Sequence, residues 1–186
     1  MRIISGLFRG RRLYSFEGDS IRPTTDRVKE SMFNLISDYI SGSDVLDLFS
    51  GSGALSLEAL SRGANSAVMV DIDPKSIAVI KKNIELVHME GRTRVVKQSA
   101  ERFLETEKRK FHLVFLDPPY NKGLISPVMD KLPGLLHPGG IVVLESDSTD
   151  DHGEFSHFSV LKQRKYGRSY VTAYQMYKSE REDREI

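Results

Sequence analysis

Gly51 and Gly53, one small residue apart, follow the apolar run 45–48 in Asp47-Leu48-Phe49-Ser50-Gly51-Ser52-Gly53, and residues 54–60 after them read as a helix. Strand, tight glycine loop and helix in that order make a nucleotide or cofactor site at the C-terminal edge of a parallel sheet. The glycines let backbone approach a ligand that any Cβ would push away, and the helix start offers unpaired N–H groups. A tight strand-to-helix turn also uses glycines for packing, so the loop needs company. Asp71 supplies it. It ends the apolar run 67–70, twenty residues beyond Gly51, where a carboxylate accepts both hydroxyls of a ribose. Asp73, just before Pro74, reads as a helix cap instead. Ser99 follows a third strand, where it either touches a cofactor's base or caps the next helix.

Asp117-Pro118-Pro119-Tyr120 is the second chemical anchor. Two prolines cannot donate backbone hydrogen bonds and hold an extended, stiff shape. Asp117 thus stands at the end of the buried strand 111–116 on a rigid rim, with an aromatic beside it. A structural turn explains one proline and one capping aspartate but not the whole set. The rim suits holding an amino group.

The elements that must position these residues follow in order. Residues 2–6 and 12–14 read as two short strands with Phe8-Arg9-Gly10-Arg11 between them, an exposed aromatic among arginines suited to RNA. The bland alternative is a hairpin whose Phe8 tucks onto the main domain. Pro23 ends an extended stretch, Thr24 or Thr25 caps, and Val28, Met32, Phe33, Leu35, Ile36, Tyr39 and Ile40 predict a helix over 26–39. Arg22 and Arg27 have no comparable structural role, though solvent exposure alone would account for them. Helix 74–87 carries its apolar stripe on Ile77, Ile80, Ile84 and Val87. A short helix around Phe103 and Leu104 precedes strand 111–116, and His112 belongs to that strand. A helix over 125–136, a turn at 137–140 and a strand 141–145 ending in Glu145 come next. Strands 158–162 and 170–176 form a closing hairpin, with the basic, aromatic bend 164–169 between them. The tail 179–186 is charged and frays.

With 39% hydrophobic and 28% charged residues, the 186-residue chain is one soluble, globular domain with a real core and at most a small appendage. Absence of cysteine excludes disulfides, zinc–thiolate sites and cysteine nucleophiles. No apolar run approaches a membrane span or a signal-peptide core, so a cytoplasmic location is expected. His152 has no metal partner at useful spacing, and no metal is expected. The net charge of +1 hides basic clusters near the start and over 162–168, which could meet nucleic acid.

A dinucleotide dehydrogenase shares the strand–loop–helix–acid order. However, Gly51-Ser52-Gly53-Ala54-Leu55-Ser56 lacks the third glycine of that fingerprint, and the Asp117 rim has no role in hydride transfer. The chain resembles instead the class I methyltransferases that use S-adenosylmethionine. More narrowly, it resembles the bacterial RsmD family, small-subunit rRNA guanine-N2 methyltransferases. The resemblance runs through residues 2–6, Arg22-Pro23-Thr24-Thr25-Asp26-Arg27-Val28-Lys29-Glu30, 47–55, Leu57-Glu58-Ala59-Leu60-Ser61-Arg62-Gly63-Ala64 and 117–120, and the Arg-Pro-Thr-Thr-Asp-Arg stretch makes it specific. Several related enzymes place an acid or amide where this chain has Ser99, for the adenine amine.

The resemblance implies a Rossmann-like α/β fold: a seven-stranded, mostly parallel sheet with an antiparallel last strand and helices on both faces. It implies an N-terminal β extension over 1–22 that contacts RNA, a methyltransferase domain over 23–178 and the tail 179–186. S-adenosylmethionine would lie across the strand ends against Thr25, Asp47, Gly51, Gly53, Asp71, Ser99 and Asp117. Catalysis would use Asp117 and the Pro118 carbonyl to orient a guanine N2, with Tyr120 stacking on the extruded base. Arg9, Arg12, Arg22, Arg27 and Lys165 would hold phosphates. The implied partner is small-subunit rRNA, with ribosomal proteins of the 30S particle, for a monomeric enzyme that leaves S-adenosylhomocysteine. Two alternatives stay open: methylation of adenine N6 in DNA or RNA or of a protein amide, and an RNA-binding assembly factor that has lost catalysis.

Overall fold

The computed structural model describes residues 1–16, 26–119, 123–147 and 154–177. Two βαβ units build one half of the sheet: β1 (Asp44–Leu48), α2 (Ala54–Ser61), β2 (Ser66–Asp71), α3 (Pro74–Val87) and β3 (Thr93–Lys97), preceded by α1 (Asp26–Leu35). The chain returns through α4 (Ala100–Thr106) to β4 (Phe111–Leu116), then α5 (Ile125–Lys131) and β5 (Leu136–Asp147). The hairpin β6 (Phe158–Tyr166) and β7 (Ser169–Met176) closes the fold. The sheet runs β3-β2-β1-β4-β5-β7-β6, parallel except for β7, which is antiparallel to both neighbours. The chain reverses direction of growth between β1 and β4, and the C-terminal ends of those two strands open the crevice that ligands use in open α/β sheets.

Strand periodicity divides the core cleanly. Val45, Ala67, Met69, Leu113, Phe115, Ile141 and Val143 face α1, α2 and α3; Leu46, Leu48, Val68, Val70, Val114, Leu116, Val142 and Leu144 face α4 and α5. Helices therefore cover both faces, as the resemblance implies. Among the described residues no helix is long and apolar enough to cross a membrane.

Several local expectations are corrected. The first residues form one antiparallel bridge, Arg2–Arg12, not two strands. The N–H groups of Ile4, Ser5 and Phe8 are taken by the side chains of Glu58 and Ser61 on α2, so they are lost to a strand partner. Phe8 packs half-buried on the core, and the large exposed residue there is Leu7, 76% accessible. The helix predicted over 26–39 ends at Leu35 and tightens into a 3₁₀ turn over Ser37–Tyr39. That over 125–136 stops at Lys131, because Pro133 lacks the N–H an α-helix needs, and a 3₁₀ turn spans Leu132–Leu135. Residues 137–140 lie inside β5, accommodated by a register shift opposite Phe111–Leu113. Glu145 is consequently interior to its strand, which runs on to Asp147. The bend predicted over 164–169 shrinks to Gly167-Arg168, with Arg164 and Lys165 paired to Val171 and Tyr170. His112 is a sheet residue as expected; its Nδ1 accepts the Asp44 N–H at 3.2 Å.

Candidate active site

The parallel register brings the glycine loop, Asp71, Ser99 and Asp117 to one edge of the sheet, because Leu48 is level with both Val70 and Leu116, and Asp71 with Lys97. The loop between β1 and α2 is strongly conditioned. Phe49 takes φ 66°, a left-handed conformation costly for a bulky residue, and Gly51 and Gly53 take φ 56° and 77°. The two glycines serve different ends. A Cβ on Gly51 would enter open space, whereas one on Gly53 would press against Met69 Sδ at 3.1 Å and Ile80. Gly51 thus leaves room above the loop, and Gly53 lets α2 seat on α3.

Asp71 already organises that loop. One carboxylate oxygen accepts the Gly51 N–H at 2.8 Å and the other the Asp73 N–H at 2.9 Å. Asp73 accepts from the Lys75 N–H and caps α3, the structural role expected of it. Asp47 lies beneath the loop, 1% exposed, accepting from Ser56 Oγ at 2.8 Å, while Ser50 Oγ donates to the Asp47 carbonyl. Its second carboxylate oxygen is buried without a hydrogen bond. Burial pushes the Asp47 carboxyl up to about 7, aided by the neighbouring Asp71 charge and opposed by Ser56. A buried acid with one unsatisfied oxygen, beneath a loop that is open above Gly51, fits a ligand carrying a positive amino group, and the Asp71 carboxylate fits hydroxyls.

Ser99 is the N-cap of α4, its hydroxyl accepting the Arg102 N–H at 3.3 Å. Asp117 is half-buried and Pro118 buried at the end of β4, across the crevice from the loop. Arg9, Arg12, Arg27 and Lys165 are all exposed. Lys165 sits over the Tyr170 ring at 5.2 Å, and a Ser31–Tyr166 hydroxyl contact ties α1 to the hairpin tip. Thr25, Arg22 and Tyr120 lie outside the described residues.

Sequence reasoning missed an ionic cluster and an amide. Glu58, 0% exposed on α2, pairs with Lys29 of α1 at 3.1 Å and Arg62 at 2.8 Å while accepting the N–H groups of Ile4 and Ser5. Lys29 is itself 1% exposed; burial lowers its pKa against the opposing pull of Glu58. Asn83 on α3 is equally buried and bonds both the loop and Tyr14. The available signals were a lone acid in the otherwise apolar and small helix Ala-Leu-Ser-Leu-Glu-Ala-Leu-Ser, and an amide on the Ile80–Ile84–Val87 stripe.

The strand order, the loop after β1 and the acid after β2 define a class I methyltransferase, the class that takes its methyl group from S-adenosylmethionine. The model of the family described as "Conserved hypothetical protein 95" matches residues 1–175, and the chain belongs to that family, the RsmD family its motifs resemble. Ribosomal RNA small subunit methyltransferase D of Haemophilus influenzae is 33% identical over 184 residues, 96% of this chain and 94% of the relative. Its Escherichia coli namesake is 38% identical over 149 residues, 79% and 75% of the two chains. The solved structure of Escherichia coli yhhF aligns with a TM-score of 0.86 and 34% identity over 96% of this chain and 99% of that one.

Proposed function

We propose that the chain methylates the exocyclic N2 of a guanine in small-subunit rRNA, within an assembling or assembled 30S particle. S-adenosylmethionine bound in the loop would supply an electrophilic methyl group on a sulfonium, a leaving group that needs no metal. The observation that carries the reading is the Asp117-Pro118 rim at the end of β4, facing the Gly51–Gly53 loop at the end of β1 across the switch point of the sheet. The names of the rRNA methyltransferase relatives support the substrate class.

The residues divide the work. Asp71 takes ribose hydroxyls, Gly51 and Gly53 admit the amino-acid part, and Asp47 organises the loop from below and reaches the ammonium through water. Ser99, already committed as a cap, offers the base a backbone edge and a shared hydroxyl, and Thr25 closes the cofactor side. A guanine N2 lone pair is delocalised into its ring and is a poor nucleophile. Asp117 accepts one N2 hydrogen and the Pro118 carbonyl the other, aiming the lone pair along the line of attack. As N2 gains a bond to carbon it loses a proton, which Asp117 accepts. Tyr120 stacks on the extruded base. Residues 1–22 form an RNA-contacting extension on the methyltransferase unit 23–178. Arg9, Arg12, Arg22, Arg27 and Lys165 hold phosphates, giving affinity more than sequence choice. The enzyme acts as a cytoplasmic monomer.

The test is transfer of labelled methyl from S-adenosylmethionine to small-subunit rRNA and 30S particles from cells lacking the enzyme, digested to nucleosides, with Asp117→Ala alongside. Label in N2-methylguanosine that disappears with the variant is the expected result. Label in N6-methyladenosine would overturn the target, and no label on either RNA form would overturn the substrate class.

A further inference from the structure

Asn83 joins two parts of the molecule that the sequence keeps apart. Its amide nitrogen donates to the Ser52 carbonyl in the glycine loop at 2.9 Å and to the Tyr14 carbonyl at 3.0 Å; its oxygen accepts the Tyr14 N–H at 2.7 Å. Both amide hydrogens and one oxygen lone pair are therefore used, at a site with 0% exposure. Only a primary amide of this length satisfies two carbonyls and one N–H at once. The Ser52–Gly53 peptide is held from both sides, its carbonyl by Asn83 and its N–H by the Ser50 carbonyl at 2.7 Å. Tyr14 is itself 54% exposed, and both its backbone N–H and its carbonyl bond Asn83. At its other end the same N-terminal segment is gripped by Glu58 and Ser61.

We propose that Asn83 is a positioning residue that couples the glycine loop to the N-terminal segment, so that a nucleoside cofactor in the loop and an RNA backbone on the segment bind with positive cooperativity. The identities of the two ligands rest on the reading in the preceding section. The physical route is short. A ligand that restricts the motion of the loop restricts the Ser52 carbonyl, and through the Asn83 amide the backbone of Tyr14. The entropy lost by loop and segment is then lost once, to whichever ligand binds first. Linkage makes the effect reciprocal: RNA must tighten the cofactor by the factor with which the cofactor tightens RNA.

The experiment uses the full chain carrying a fluorophore, S-adenosylhomocysteine and 30S particles from cells lacking the enzyme, with affinity for the particle's RNA read by fluorescence anisotropy at one fixed salt concentration. Saturating S-adenosylhomocysteine should tighten RNA binding by about fivefold or more, in the usual range of coupling between sites. In Asn83→Ala and Asn83→Asp that factor should fall towards one. Plain destabilisation weakens each ligand without altering the ratio, so the ratio separates coupling from folding. An equal factor in wild type and variants, or a factor of one in wild type, overturns the inference. Amide exchange on the wild type gives a readout independent of whether the variants fold: S-adenosylhomocysteine should slow exchange at Tyr14 as well as in the loop, and protection confined to the loop overturns the inference. A wild type that binds neither probe would overturn the functional reading, and this inference with it.

Discussion

Asp71 Oδ2 lies 2.8 Å from the backbone nitrogen of Gly51, so the acid at the end of β2 and the loop at the end of β1 are joined through protein atoms alone. The same carboxylate holds the Asp73 N–H at the start of α3. One side chain thus sets the spacing between two helix starts on the ligand edge.

Replacing it should cost both shape and contact. Asp71→Ala removes an ionised acceptor from two N–H groups, and such bonds contribute about 1.5–3 kcal/mol each. The affinity for S-adenosylhomocysteine, measured by calorimetry, should fall at least tenfold, with Asp71→Asn intermediate. An affinity within twofold of wild type would remove Asp71 from the site.

Asp47 predicts a pH dependence whose sign is fixed by its burial. The folded carboxyl titrates near 7, above its ordinary 3.8, so between those values the folded chain holds a proton that the unfolded chain releases. Its contribution to stability is complete below the unfolded value, declines as pH rises through the folded one, and is flat beyond. The slope is at most ~1.4 kcal/mol per pH unit. Urea unfolding of the cofactor-free protein at pH 5, 6, 7 and 8 should show Asp47→Asn gaining on wild type up to neutrality. Parallel curves for the two proteins would contradict the prediction.

Asp117→Asn should separate chemistry from binding. The variant keeps one acceptor for the guanine amine but loses the proton acceptor, and positioned acid–base groups contribute roughly 10²–10⁴-fold. Single-turnover methyl transfer should slow by about 10²-fold or more, while S-adenosylhomocysteine affinity stays within roughly threefold of wild type. Equal losses in both quantities would make Asp117 a cofactor ligand alone.

The residues of these three predictions were legible in the sequence because each stands at a strand end marked by local chemistry: glycines after β1, an acid after β2, prolines after β4. The sheet around them followed from short apolar runs alternating with helical stripes. What local pattern could not show is where backbone groups find partners. The first residues failed to become strands because Glu58, some fifty residues on, took the N–H groups of Ile4 and Ser5. Asn83 stayed hidden for the same reason, its partners lying 31 and 69 positions away. Residues 137–140, rich in turn formers, were absorbed into β5 by a register shift against β4 that no single-strand pattern encodes.

The buried Glu58–Lys29 pair gives a test of stability. Removing one partner of such a pair leaves an unmatched buried charge and costs about 3–5 kcal/mol. Glu58→Ala should destabilise the fold by that order in urea. Combining it with Lys29→Met should recover part of the loss, because the stranded ammonium is gone. If the double variant is as unstable as the sum of the single ones, the two side chains are not coupled.

The distance in sequence between Tyr14 and Asn83 also sets a timetable for synthesis. At about 5–20 residues per second the 69 positions between them take roughly 3–14 s to emerge. Through the early part of that wait, until α1 and α2 have been made, Ile3 and Leu13, both destined for the interior, lack the core they pack into. Arg2, Arg9, Arg11 and Arg12 surround them, and like charges of this density act as gatekeepers against premature association. The arginines of the segment are thus placed to keep the apolar residues between them from associating while the chain is still incomplete.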